Sequence, residues 1–421
     1  MRVHLDYGTT GLTVDVPDGP TVMVSPPHQP ALADPAAALA AALAAPTAGP
    51  PLASLVGPWQ PVAIAVCDIT RAQPRQAMVQ AILAALPRTS PSDVTILIAT
   101  GTHRANTPDE LERMLGADLV ARCRVVNHDA RDAASLVHAG TTSTGVPVWL
   151  NRHWLDAGVR ITTGFVEPHF FAGFSGGPKM VAPGLAGLAT TLVLHDARHI
   201  GHPRATWGVT EGNPIHDDVR EIARLTGVTF ALDVALNRDQ AITRVFAGEL
   251  FAEHAAACAH VRAAAMCPVD EPVDVVLTTN SGYPLDQNLY QAVKGLSAAA
   301  CIVKPGGTII CAAECRDGIP DHGPYGRLLR ARRSPEDLLA MVEAPGFAEQ
   351  DAWQVQVQAL VQRRARVLVK ADGLTHEQIR AAHFEPVTDV GIAVREALGA
   401  AGPGATLAVL PHGPQTIPCL R

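Results

Sequence analysis

Five short runs of apolar, β-branched residues recur along the chain, separated by helix-length segments: 62–66 (VAIAV), 94–99 (VTILIA), 160–166 (RITTGFV), 273–279 (VDVVLTT) and 301–313 (CIVKPGGTIICAA). Runs apolar on both faces read as central strands of sheets covered by helices, so the class is α/β. Helix signals between the runs agree. Thr107, Pro108 and Glu110 form a capping box with proline at the first helical position, and Asn213 with Pro214 starts a helix that Gly227 can stop. Residues 228–248 read as a hairpin turning at Asn237 and Arg238.

A length of 421 residues is too much for one compact core and predicts two α/β domains, with sheets flanked by helices and an active-site cleft between them. The boundary falls where the helical pattern of 251–267 meets Pro268, giving domains 1–268 and 269–421, with the extreme tail able to pack on either. No repeat period is visible, which argues against a solenoid.

The formal charge of -7 comes from 33 basic and 40 acidic residues without a basic stripe, so nucleic acid is not an expected partner. No apolar run reaches the roughly 18 residues of a membrane-spanning helix, and no membrane association is expected. The start, MRVHLDYGTTGLTVDV, lacks the pattern of a signal peptide, and the 8 cysteines show no paired spacing. The expectation is a cytoplasmic protein with reduced thiols.

Four predicted strands run into loops rich in ionisable and amide side chains: 67–74 (CDITRAQP), 101–106 (GTHRAN), 167–179 (EPHFFAGFSGGPK) and 280–294 (NSGYPLDQNLYQAVK). Ligands of open α/β sheets sit beyond the carboxyl ends of strands, so the four loops are expected to share one cleft. Gly173, Gly176, Gly177 and Gly184 let backbone approach a ligand, and unpaired amides there can cradle a phosphate. The loop is not a Walker A motif, because Lys179 follows Pro178 and precedes Met180; no GxGxxG follows the first strand either. ATP hydrolysis and ordinary NAD binding are therefore poorly supported. Lys179 either neutralises phosphate or anchors a cofactor.

Of 17 histidines, His195 and His199 stand i, i+4 on 194–199 (LHDARH), a predicted helix. That spacing can offer two ligands to one metal but lacks the glutamate of HExxH, and by itself it more often marks a solvated helix face. His103 and His169 each follow a strand closely, where a rigid backbone can aim an imidazole, which favours catalysis.

Taken in order, DITRAQP, GTHR, EPHFFAGFSGGPK, a histidine sixteen residues after Lys179, and DQNLYQAVK resemble the motif series of the nickel-pincer nucleotide-dependent lactate racemase family. The likeness runs from about residue 60 to about residue 310. It implies a racemase or epimerase that inverts C2 of a small-molecule 2-hydroxy acid, lactate or a relative, by reversible hydride transfer through a 2-keto acid. The implied cofactor is the nickel-pincer nucleotide, pyridinium-3,5-bisthiocarboxylic acid mononucleotide nickel, supplied by cofactor-maturation enzymes and joined covalently to the lysine matching Lys179.

By the same resemblance His195 matches the nickel ligand, which leaves His199 a structural or supporting role. His103 and His169 match the two acid/base histidines, one for each enantiomer. Ser175, Gly176, Gly177 and Asp68 fall at cofactor-binding positions, with Asp68 also able to orient Arg71 or cap its loop. Arg71, Tyr290, Gln291 and Lys294 match substrate-binding positions, where fixed cations meet a carboxylate. Domain 1–268 is then the catalytic and cofactor-binding part, and 269–421 contributes substrate-binding residues. Two other readings stay open: a zinc-dependent hydrolase using His195 and His199 with His103 as base, and a non-catalytic nucleotide-binding protein built on 173–179. The choice of 2-hydroxy acid and assembly into a homo-oligomer are also open.

Overall fold

The computed structural model describes residues 1–320 and 323–421. The chain divides into two compact units, one of His28–His195 with Arg204–Ala263, the other of Met1–Pro27, Asp196–Pro203 and Ala264–Arg421.

The first unit is built on a six-stranded sheet in the order Ile242–Gly248, Phe230–Leu236, Val159–Phe165, Val62–Cys67, Val94–Ala99, Arg124–Asn127. All neighbours are parallel except the edge strand Ile242–Gly248, which closes a hairpin. Every residue of Val62–Cys67 is buried, which is why that run is apolar on both faces. Trp154, Ile64, Ile96 and Phe230 belong to the core that covers the sheet. From Val62–Cys67 the chain builds outward through Val94–Ala99 to Arg124–Asn127, then returns to the first strand's other side as Val159–Phe165. Strand order thus reverses between Val62–Cys67 and Val159–Phe165, and the loops leaving their carboxyl ends flank the crevice that such a reversal opens.

The second unit holds an all-parallel sheet of six strands in the order Glu385–Pro386, Arg366–Lys370, Val303–Ala312, Val273–Thr279, Leu407–Leu410, Thr21–Met23. Leu277, Ile310, Val394 and Val409 anchor its core. Order reverses here at Val273–Thr279, which releases the 280–294 segment from its carboxyl end.

The α/β class and two-part organisation agree with the sequence reading. The strands Val94–Ala99 and Val273–Thr279 begin and end where the pattern placed them, and the Thr107 capping box and the Asn213 cap are both formed. The hairpin differs in detail: Asn237 donates to the carbonyl of Ala241 at 3.0 Å and Gln240 has φ 59, so five residues make the turn. The unit boundaries also differ from a single cut at 268, because Thr21–Met23 pairs with Leu407–Leu410, a long-range pairing that local pattern does not reveal. Among the described residues no helix is long and apolar enough to cross a membrane.

Candidate active site

The loop after Val62–Cys67 is organised from inside by Arg75. Its guanidinium, only 7% exposed, donates to the carbonyls of Cys67 at 2.7 Å, Gln73 at 3.0 Å and Arg71 at 2.5 Å, and also to that of Asp68. Gln73 adds a second tie, accepting from the Cys67 amide at 2.7 Å and donating to Thr163 Oγ1 at 2.8 Å on the neighbouring strand. The backbone carrying Asp68 and Arg71 is therefore fixed by two buried side chains.

Asp68 uses that fixed position to hold a histidine. His103, released by the loop after Val94–Ala99, places Nδ1 2.6 Å from Asp68 Oδ2, while Thr70 Oγ1 donates to Asp68 Oδ1 at 2.6 Å. Burial pushes the Asp68 carboxyl up, but the hydrogen bond and charge of His103, with Arg71 and Thr70, outweigh it and bring the group down to about 2. An ionised carboxylate can only accept, so His103 Nδ1 donates and Nε2 is left as the proton-accepting atom.

The loop after Val159–Phe165 presents the second histidine. Pro168–His169 pairs with Gly173–Phe174 as a two-residue ribbon, and Gly173 has φ 79, a backbone state that favours glycine. The amides of Phe171 and Ala172 point at His169 Nδ1 at 3.4 and 3.3 Å. His169 Nε2 lies 3.4 Å from Lys179 Nζ. Phe171 is the hub of the group. Its ring packs edge-on to His169 at 4.5 Å and to His195 at 5.0 Å, with Lys179 Nζ 5.5 Å from its centroid. His103 with Asp68, and His169 with Lys179 and His195, are thus brought together on one unit.

Several sequence expectations change at this level. The Gly177 amide is turned inward and donates to Asp233 at 2.6 Å, while the amides of Ser175 and Lys179 bond to the carbonyls of Glu167 and Gly176. These three donors are occupied by the protein, so 173–179 is not an open phosphate cradle. Ser175 Oγ closes the loop by donating to the Phe165 carbonyl at 2.9 Å. Asp68 orients His103 through its side chain, while Arg71 contributes charge to that carboxylate.

The 194–199 segment is not one helix. Leu188–Leu194 ends with His195 as its C-cap, and Asp196 caps a new turn, Ala197–Ile200. His199 Nδ1 pairs with Asp196 Oδ1 at 2.7 Å. The two imidazoles therefore lack the common helix face on which a paired metal site was premised. Among the described residues no group of three or more His, Cys, Asp or Glu side chains is arranged to hold a metal ion on its own.

In the second unit, Asn288 caps Leu289–Ala300 by accepting from the Gln291 amide at 3.1 Å, and Gln291 and Lys294 emerge three apart, both half-buried. Tyr290 is held rather than free to swing: its hydroxyl accepts from Trp353 Nε1 at 3.1 Å, and its ring stands edge-on to Tyr325.

Arg75, Phe171, Asp233, Glu253 and His254 escaped the sequence reading. Arg75 resembles any first-turn arginine after a proline. Asp233 did leave a signal, a lone carboxyl inside the apolar run 230–236 (FALDVAL).

Comparison with known proteins matches residues 7–208 to the lactate racemase N-terminal domain and residues 269–417 to the lactate racemase C-terminal domain. A lactate racemase of Thermoanaerobacterium thermosaccharolyticum is 35% identical over 359 residues, 85% of this chain and 84% of that protein. A second, of Lactiplantibacillus plantarum, is 35% identical over 354 residues, 84% of this chain and 83% of that one. The lactate racemase apoprotein structure from T. thermosaccharolyticum superposes with a TM-score of 0.91 at 32% identity, covering 99% of this chain and 100% of that one. A Thermotoga maritima protein shares the fold alone, with a TM-score of 0.66 at 17% identity over 88% of this chain and 96% of that chain.

Proposed function

The chain belongs to the lactate racemase family and is an isomerase, and from that premise we propose that it racemises lactate or a related 2-hydroxy acid with the nickel-pincer nucleotide carried on Lys179. The observation that carries the reading is a pair of histidines held by different partners, His103 by the Asp68 carboxylate and His169 by the amides of Phe171 and Ala172 beside Lys179. Inversion at C2 needs hydride returned to the other face of the planar keto acid, with one group taking the hydroxyl proton and another returning a proton to the carbonyl oxygen.

The residues present fit the cofactor. Lys179 and His195 border the same Phe171 ring, so an amine for covalent attachment and an imidazole suited to nickel are available together. When bound, the cofactor supplies the hydride acceptor and donor that amino-acid side chains lack.

The rest is proton and charge handling by the chain. His103 Nε2 accepts the hydroxyl proton of one enantiomer, and the Asp68 carboxylate stabilises the imidazolium that forms. His169 Nε2 donates to the carbonyl oxygen when the other enantiomer is formed, and the two exchange duties in the reverse direction. Arg71, Gln291 and Lys294 are assigned to the substrate carboxylate, and Tyr290 to packing at the substrate. The zinc hydrolase reading loses its shared helix face, and the nucleotide-binding reading loses the Gly177 amide to Asp233.

The test is to purify the enzyme from a host that makes the cofactor and incubate it with single-enantiomer 2-hydroxy acids. Loss of optical purity with lactate or a close relative supports the assignment; retention with every acid, in protein shown to hold nickel, overturns it.

A further inference from the structure

Beneath the Ser175–Gly177 turn lie ionisable groups that the proton chemistry above leaves unused. Asp233 sits in the middle of Phe230–Leu236, and Glu253 and His254 on Leu250–Ala265; the two carboxyl side chains are fully buried. Asp233 Oδ2 accepts the Gly177 amide at 2.6 Å. A Cβ on Gly176 would lie 2.7 Å from Asp233 Oδ2, and one on Gly164 would lie 2.9 Å from Oδ1. The carboxylate thus fills space that only glycine leaves open. His254 Nε2 donates to the Ser175 carbonyl at 2.8 Å, and its ring occupies the place a Cβ on Gly177 would take.

Glu253 adjoins Asp233. Burial drives both carboxyls up, Asp233 to about 7, and two adjoining carboxylates in a dry interior cannot both stay ionised. The Gly177 amide pointing at Asp233 favours it as the ionised member, with Glu253 the protonated one. Burial holds His254 down to about 4 and His216, ring-stacked on it at 5.8 Å, down to about 3, so neither supplies a compensating cation. A buried ionised carboxyl is a costly way to fill a core, and this one lies under the residues that lead into Lys179.

We propose that the buried Asp233 carboxylate, beside Glu253, is a positioning device for Lys179: Asp233 pins the Gly177 amide inward, and the Gly177–Met180 turn presents the lysine beside His169. The inference rests on the reading that Lys179 is the working lysine. His254 anchors the other end of the turn through Ser175.

Asp233→Asn removes the charge that holds the Gly177 amide and can turn an NH2 against it, whereas Glu253→Gln leaves the Asp233 carboxylate in place. The probe is an amine-specific acylating reagent applied to folded protein made without cofactor, with the rate at Lys179 read by peptide mass spectrometry relative to Lys304 and Lys370. Asp233→Asn should release the turn and raise the Lys179 rate about tenfold, the effect of losing one charge-assisted hydrogen bond, while Glu253→Gln stays within about twofold. A wild-type rate in folded Asp233→Asn, or equal changes in both variants, overturns the proposal. Should Asp233→Asn fail to fold, glycine-selective NMR of the wild-type protein decides. A Gly177 amide shifted downfield and protected from exchange supports it, and an unprotected one overturns it. Because labelling needs no cofactor, it stands apart from any failure to find an adduct on Lys179.

Discussion

Asp68 Oδ2 lies 2.6 Å from His103 Nδ1, across two loops that leave adjacent parallel strands. The contact fixes which nitrogen of His103 faces away from the carboxylate, and on the proposed reading it makes Asp68 a support for the proton chemistry. Asp68→Asn should lower kcat by about a hundredfold, since an amide neither steadies the imidazolium nor enforces the tautomer. KM should change less than kcat. Steady-state rates from each pure enantiomer check this, and an unaltered kcat would remove Asp68 from the mechanism. The same carboxyl, held down at about 2, contributes stability above its unfolded value near 3.8, and that contribution is lost as pH falls towards 2. The stability difference between wild type and Asp68→Asn should therefore be constant at neutral pH and shrink between pH 4 and pH 2, as followed by urea unfolding.

Arg75 satisfies four carbonyls of the loop that carries Asp68 and Arg71. Lysine has one nitrogen and no planar fork, so Arg75→Lys leaves buried carbonyls unpaired at a cost of about 2–4 kcal/mol. Urea unfolding should show the loss, together with a fall in activity at temperatures where the variant is folded. Wild-type stability would mean that the loop holds itself.

His195 and His199 are separated by a helix break, and only His199 is engaged by Asp196. His195→Ala should lose nickel while keeping its circular dichroism spectrum, and His199→Ala should retain nickel at some cost in stability. Metal analysis of cofactor-loaded protein checks the pair; the reverse pattern would exchange their roles.

Lys179 should carry a covalent adduct. Intact-mass analysis of active enzyme should show an increment that maps to the peptide containing Lys179. Active enzyme with an unmodified Lys179 would rule out the tether.

Much of this site was legible before any coordinates, and the reasons are local. His103 and His169 follow strands whose apolar runs announce them, and Lys179 stands in a glycine-rich string too distinctive to miss. What stayed hidden depends on contacts distant in sequence. The Asp68–His103 pair joins residues 35 apart, Gly177 reaches Asp233 across 56 residues, and Thr21–Met23 pairs with Leu407–Leu410 from the far end of the chain. The helix over 194–199 failed for a local reason: Asp196 can cap, and its side chain accepting the His199 amide competes with continuing the helix.

The account turns on two histidines serving opposite hands of substrate, and single-turnover chemistry with His103→Ala and His169→Ala examines that most directly. Cofactor-loaded variants are mixed with each pure enantiomer, quenched in acid, and the 2-keto acid is quantified. Each variant should form keto acid from one enantiomer and lose the other half-reaction by about a hundredfold or more, with opposite preferences in the two variants. Equal impairment with both enantiomers in both variants would contradict the two-histidine account.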